Sequence, residues 1–302
     1  MSRKGWLWIV QGAAALVVGL FLARALGRHW AEFRSLELRL EIHPGWLFLS
    51  IVSVLLTYAL QIASWRRVLH GWGQRLEFGT AARIWCLANL GRYVPGKVWS
   101  VAGLVVLAQR AGVAGWAAAA SAVAVQALGI GTAVVLVAAT TPAAASPLRL
   151  AAAAVAAAAT LGALAWPWAV ARLARAFHAA TPWRALPPRS ALEGATLTLA
   201  SWATYGTAFW LLARGLGVAG ALGPPGAAGV FALGYILGLA ALFAPGGLVV
   251  REAAFVALLT PLVGSAGALT LSLASRVQLT LTEAAAALLA LAAERRLQGG
   301  RG

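Results

Sequence analysis

The chain has 302 residues, 61% hydrophobic and 11% charged, with a formal net charge of +16. A soluble globule carries about 25% charged residues, disorder needs low hydrophobicity, and a single cysteine, Cys86, allows no intrachain disulfide. The 8 acidic residues are all Glu, so an Asp-based metal site, an Asp-His-Ser triad and an Asp-rich diphosphate motif are all excluded.

Long apolar runs dominate, and a bilayer-crossing helix needs ~20 such residues. The first runs from Trp6 to Ala23, behind Arg3-Lys4. Ala23-Arg24-Ala25 resembles a cleavage site, but the run outlasts a signal-peptide core of about 7–15 residues, so an uncleaved span is expected. A second span is predicted over Trp46 to Trp65. The stretch 81–110 is apolar but interrupted at Pro95-Gly96. Spans three and four are predicted over Val113 to Thr140 and Leu148 to Val170. The basic loop 172–190 (Arg172, Arg175, His178, Trp183, Arg184, Arg189) reads either as a segment near anionic headgroups or as plain positive-inside charge. Span five covers Leu192 to Ala213. The stretch 227–263 is broken at Pro245-Gly246-Gly247, and a last span runs from about Ala266 to Ala293.

Pro removes an amide donor and Gly relaxes the backbone, so a helix breaks at each Pro-Gly. The halves of the broken stretches are short for full spans, and each stretch is read as a re-entrant helical hairpin. The fold expected is an all-α polytopic membrane protein of about six spans plus two hairpins, in one membrane domain over 1–302. With a cytoplasmic N-terminus, the inside segments carry 13 Lys and Arg and the outside segments 6, which puts both termini on the cytoplasmic side. The hairpins then enter from opposite sides. Repeat halves over 46–140 and 191–293 follow, and interrupted segments at matching positions of inverted halves point to a substrate site.

The segment Asn89-Leu-Gly-Arg-Tyr-Val-Pro-Gly-Lys-Val-Trp99 places Arg92 and Lys97 beside a helix break. A helix restarting after Pro95-Gly96 exposes free N–H groups suited to an anion. Arg92 can grip a phosphate in bidentate fashion, Lys97 adds a point charge, and Asn89 and Tyr93 supply hydrogen bonds. Snorkelling of the two cations to the interface is the competing reading. At the second break, Arg251 and Glu252 are adjacent, about 100° apart on a helix, so each seeks a partner elsewhere. Glu252 near a helix start also stabilises the dipole. Ser272, Arg276, Thr280 and Glu283 share one face of the last span, as a substrate-facing stripe or as an interhelical polar lock. Gln61 and Gln126 read as interhelical hydrogen bonders. Enzyme and metal motifs are absent from the sequence, and neither a cofactor nor a nucleic-acid partner is expected.

These two breaks resemble the membrane domain of bacterial lysylphosphatidylglycerol synthases, a flippase-like family. Its first motif is similar to N-x-G-R-x-[IV]-P-G-K, matched by Asn89, Gly91, Arg92, Val94, Pro95, Gly96 and Lys97. Its second is similar to P-G-G-x-G-x-R-E, matched by Pro245, Gly246, Gly247, Arg251 and Glu252, with Val249 standing where Gly is common. Arg276 sits where the family often has Arg in its last span. The resemblance implies a protein that moves a lipid or lipid-linked headgroup between leaflets. The chain ends at Gly302 without room for an aminoacyl-transfer domain, so no synthase activity is expected and the chain reads as a stand-alone member. The expected ligands are membrane lipids, an anionic phospholipid or a polyprenyl phosphate. Arg92, Lys97 and Arg251 would hold the phosphate, balanced by Glu252 and Glu283, with Arg276 a further candidate in the substrate-facing stripe. The alternative is a non-transporting scaffold for a glycolipid or aminoacyl-lipid pathway enzyme.

Overall fold

The computed structural model describes residues 41–91, 98–140, 147–179, 182–240 and 250–299. The first predicted span lies outside the described residues. The helices are α1 (Pro44–Gly71), α2 (Phe78–Leu90), α3 (Val98–Arg110), α4 (Gly115–Thr140), α5 (Pro147–Ala165), α6 (Pro167–Ala176), α7 (Pro188–Gly215), α8 (Pro224–Ala240) and α9 (Val250–Gly299). No strand occurs among the described residues. Pro opens α1, α5, α6, α7 and α8, a position where its missing N–H costs nothing and its fixed φ suits the helix.

The α1–α7 pair forms the spine, packed antiparallel along its whole length. His43 N–H donates to the Gly215 carbonyl at 2.8 Å at one end, and Trp72 Nε1 donates to the Ala185 carbonyl at 3.3 Å at the other. Between them runs a seam of small hydroxyls. Ser50 donates to the Ala208 carbonyl at 2.6 Å, Ser64 to the Gly194 carbonyl at 2.9 Å, and Thr57 meets Thr204 at 2.7 Å. Small residues let backbones approach where apolar association gains nothing over lipid. Gln278 of α9 ties into the seam through Ser50 at 2.7 Å. Ser50→Ala is expected to cost about 0.6–1 kcal/mol, read as an earlier unfolding midpoint in detergent.

The two spine helices match in detail. Pro44 and Pro188 are 144 residues apart, as are Gly71 and Gly215, and Gly73 and Gly217. Both Gly73 (φ 74°) and Gly217 (φ 71°) sit two residues past a helix end in the left-handed region, the usual way to release a helix into a turn. The Ser50–Ala208 and Ser64–Gly194 bonds are equivalent under the same offset.

Each spine helix is followed by a helical hairpin. α2 and α3 pack together, and the base of that hairpin closes where Ala114 N–H donates to Gln74 Oε1 at 2.9 Å. α8 packs against the start of α9, and its base closes where Ala221 N–H donates to the Leu262 carbonyl at 3.0 Å. That bond is needed because α9 breaks at Gly264 (φ 75°, ψ 164°), which strands the last carbonyls of the turn before it. Only glycine adopts that backbone without strain. The break divides the arm 250–263 from the final helix at the boundary the sequence suggested. The hairpin bases lie at opposite ends of the spine. Final helices then cross over, with α4 packing on α8 and α9 on α2.

One expectation needs correction. The continuous span predicted over Leu148–Val170 is α5 and α6, bent by 80°. Pro167 lacks an amide donor and forces Trp166 into an extended conformation (φ −92°, ψ 119°). The basic segment expected as loop from Arg172 is helical as far as Ala176. Among the described residues three helices are long and apolar enough to cross a membrane, or up to four if the bent pair counts as one span. α7 is as long as α1 but richer in Thr, Ser and Gly, because much of its surface meets protein.

Arginine–tryptophan clusters mark both ends of the spine. Arg214 lies over Trp46 and Trp210 at 5.5 and 5.9 Å. At the far end Arg184 lies 5.4 Å over Trp116, which packs on Trp72. Trp46 and Trp72 are separated by ~39 Å of helix, about the thickness of a bilayer with its headgroup regions. Aromatic belts sit at those two levels.

Candidate functional site

Eight of the expected site and helix-break residues, Arg92, Tyr93, Pro95, Gly96, Lys97, Pro245, Gly246 and Gly247, lie outside the described residues. The flanking chain places the rest. α2 and α3 each hold 13 residues, or ~20 Å, against ~42 Å for the 28-residue α1. Each of these two arms is therefore about half as long as the spine is deep.

Glu252 and Arg276 meet at a comparable depth. Glu252 is ten residues before Leu262 and Arg276 twelve residues after the Gly264 break, so both lie ~15–18 Å in from the same end. Arg276 Nη1 donates to Glu252 Oε1 at 2.9 Å, with side chains 23% and 13% exposed. Adjacent Arg251 takes a different partner, as its angular separation from Glu252 requires. Its guanidinium lies over the rings of Phe231 at 5.1 Å and Phe255 at 4.8 Å. Desolvated cation–ring contacts of this kind are worth up to about 2 kcal/mol. Phe255 is fully buried and packs on Phe209 with ring centroids 5.0 Å apart. Phe231 stacks on Tyr205 at 4.7 Å. The return arm of the second hairpin thus holds one cation and one carboxylate, Arg251 seated on two rings and Glu252 bound to Arg276 of the final helix.

Glu283 is two turns further along α9 and buried, with 5% exposure. It lies within electrostatic reach of Cys86 on α2, so it faces the first hairpin while Arg276 faces the second. Asn89, half-buried, closes the last turn of α2. The Ser272–Glu283 stripe is therefore split between two partners, and Ser272 is fully buried. Gln126 Nε2 donates to Tyr235 Oη at 2.6 Å, an interhelical bond between α4 and α8. No cluster of metal-ligating side chains occurs among the described residues. A small cavity lined by Val54, Tyr205, Phe231, Ser275 and Gln278 has room for about one water molecule, far too little for a lipid phosphate.

The aromatic seat of Arg251, the Tyr235 partner of Gln126 and the Gln278–Ser50 link were not read from the sequence. The hydroxyl seam was not read either, although the fall of Ser50, Ser53, Thr57 and Ser64 on one helical face is a signal that could have found it.

Over an alignment of 115 residues, covering 33% of this chain, the sequence is 34% identical to the L-methionine/branched-chain amino acid exporter YjeH of Escherichia coli (strain K12). The chain spans about a quarter of that relative's length, 27%. The model of the lysylphosphatidylglycerol synthase TM region matches residues 8–286. With its two motif-bearing hairpins, its all-helical described core and a family match over nearly its whole length, this chain is a membrane protein belonging to the lysylphosphatidylglycerol synthase TM region family.

Proposed function

We propose that the protein carries an anionic lipid, or a lipid-linked headgroup, between leaflets of the bacterial cytoplasmic membrane. The observation that carries this reading is the pair of hairpins opening from opposite ends of one spine, with the charged Glu252–Arg276 pair at the inner end of one of them. Broken segments at matching places in two inverted halves form midplane binding sites in transporters. The 144-residue offset of the spine helices and the crossed packing of α4 on α8 and α9 on α2 support inverted halves over 46–140 and 191–293. The partial similarity to an amino acid exporter agrees with transport as a class and goes no further.

Arg92 and Lys97, beside the first break, would hold the phosphate, because Arg276 is engaged by Glu252 and Arg251 by two rings. Acyl or prenyl chains would remain in the bilayer, and the protein does no covalent chemistry. The basic end of the spine, with Arg66, Arg67, Arg75, Arg184 and Arg189, faces the cytoplasm on the positive-inside rule. Both termini then lie on that side.

Purified protein in liposomes tests this. Labelled phosphatidylglycerol and a labelled polyprenyl phosphate are expected to exchange leaflets faster than in protein-free vesicles. Arg92→Ala and Lys97→Ala should each slow exchange about tenfold or more, the loss of one charge-assisted hydrogen bond. Equal exchange with and without protein, for both lipids, would reject the reading and favour a scaffold for a pathway enzyme.

A further inference from the structure

The bend at Pro167 produces a feature that lipid movement does not use. α5 is 19 residues long, ~28 Å, close to the thickness of a hydrocarbon core. Its end is fixed at the basic end of the spine, where Leu186 N–H donates to the Leu164 carbonyl at 2.8 Å. A helix leaving a membrane-crossing helix at 80° lies close to the membrane plane.

The short helix α6 is built for that position. Val170 and Ala174 are buried against the bundle. Trp168, Arg172 and Arg175 fall on another face at helical spacing, and all three are exposed. Trp166 and Trp168 are 66% and 61% exposed, and Phe177 just past the helix is 58% exposed. In water that is a costly amount of bare aromatic surface. Arg172 lies 4.7 Å over the Trp168 ring, so its charged head is carried at the level of an amphipathic indole. Phe177 stacks on Trp183 at 5.9 Å, next to Arg184. No acidic residue occurs between Glu77 and Glu193. Glu193 is itself taken by Arg189 at 3.1 Å and Arg67 at 3.6 Å. Among the described residues the platform therefore presents Arg172 and Arg175 without a carboxylate partner, among exposed aromatic rings, the arrangement that suits an interfacial helix on anionic lipid.

We infer that α6 and the segment leading to α7 form a headgroup platform, which lies on the cytoplasmic leaflet and binds anionic phospholipid through Arg172 and Arg175. The platform gathers anionic lipid at the mouth of the bundle. It rests on α5 crossing the membrane and is independent of whether lipid is translocated.

The full chain, with Cys86→Ser and Ala171→Cys, is labelled with a polarity-sensitive fluorophore and reconstituted. One set of vesicles is phosphatidylcholine and the other contains phosphatidylglycerol. The label is expected to be quenched by lipids carrying a nitroxide near the headgroup and protected from aqueous iodide. In parallel, the immobilised fraction of spin-labelled phosphatidylglycerol around the otherwise unsubstituted chain should exceed that of phosphatidylcholine. Arg172→Ala with Arg175→Ala should lower that preference roughly fivefold per arginine, converted from ~1 kcal/mol for each basic side chain at an anionic surface. Arg172→Lys with Arg175→Lys should retain it, and Arg189→Ala, whose arginine is held by Glu193, should leave it unchanged. A label fully open to iodide and blind to nitroxide lipid would overturn the proposal and leave a protein partner as the occupant. So would an unchanged phosphatidylglycerol preference in the double alanine variant. Leaflet exchange measured on the same variants separates failure of the platform from failure of the transport reading.

Discussion

Glu252→Gln is expected to lower the unfolding free energy in detergent by about 3 kcal/mol, because it leaves the Arg276 guanidinium largely buried without its carboxylate. The charge cannot move to water along a short path, since the pair sits ~15–18 Å from the nearer end of the bundle. Arg276→Gln should also destabilise, because the largely buried Glu252 carboxylate loses this ion pair. The double variant should cost clearly less than the sum of the two, since removal of both charges removes both desolvation penalties. A double-mutant cycle on thermal unfolding measures this coupling. Strictly additive effects would show that the pair is held by something other than mutual attraction. The pair joins the return arm of the second hairpin to the final helix, so Glu252→Gln should also slow leaflet exchange beyond any loss of folded protein.

Gly206→Val is expected to be at least as damaging, with a loss of about 3 kcal/mol or more or failure to accumulate in the membrane. Gly206 lies on α7 where it meets α8. A Cβ placed there falls on the Ala228 side chain and collides with its backbone Cα and N. Backbone cannot yield as a flexible side-chain tip can, so the two helices must part. That would shift Phe231, three residues further along α8, away from Tyr205 and Arg251. Gly206→Ala should show the same defect in smaller measure, and folded yield with the unfolding midpoint ranks the two. Wild-type stability in the Val variant would mean that α7 and α8 do not meet this closely in the membrane.

The apolar runs identified α1, α4, α7 and the final helix, because bilayer thickness imposes a length that composition alone reveals. The two apolar stretches read as hairpins hold the paired helices α2–α3 and α8 with the start of α9, while the Pro-Gly residues between those helices lie outside the described residues. Gly264 fell where the sequence reading put a boundary. Trp166-Pro167 carried the same local signal and was passed over inside a run that was otherwise apolar. Its consequence, an 80° bend, separates a spanning helix from an interfacial one.

Side-chain partners follow a different logic. Arg251, Glu252, Arg276 and Glu283 stood out as costly charges at depth, and helical geometry alone excluded pairing of Arg251 with Glu252. Nothing local distinguishes Phe231 and Phe255 as the seat of Arg251, or Glu252 as the partner of Arg276 24 residues away. Those choices depend on how close α7, α8 and α9 come, which small residues such as Gly206 and Ala228 set across helices.

By itself the sequence determined the membrane class, the family motifs and the excess of basic residues over acidic ones, since each depends on residue type, length or short-range pattern. Tertiary structure alone decided which charges are neutralised and by which partners, and which arginines remain outside the bundle. Those outcomes depend on distances between segments far apart in the chain, and only packing fixes such distances.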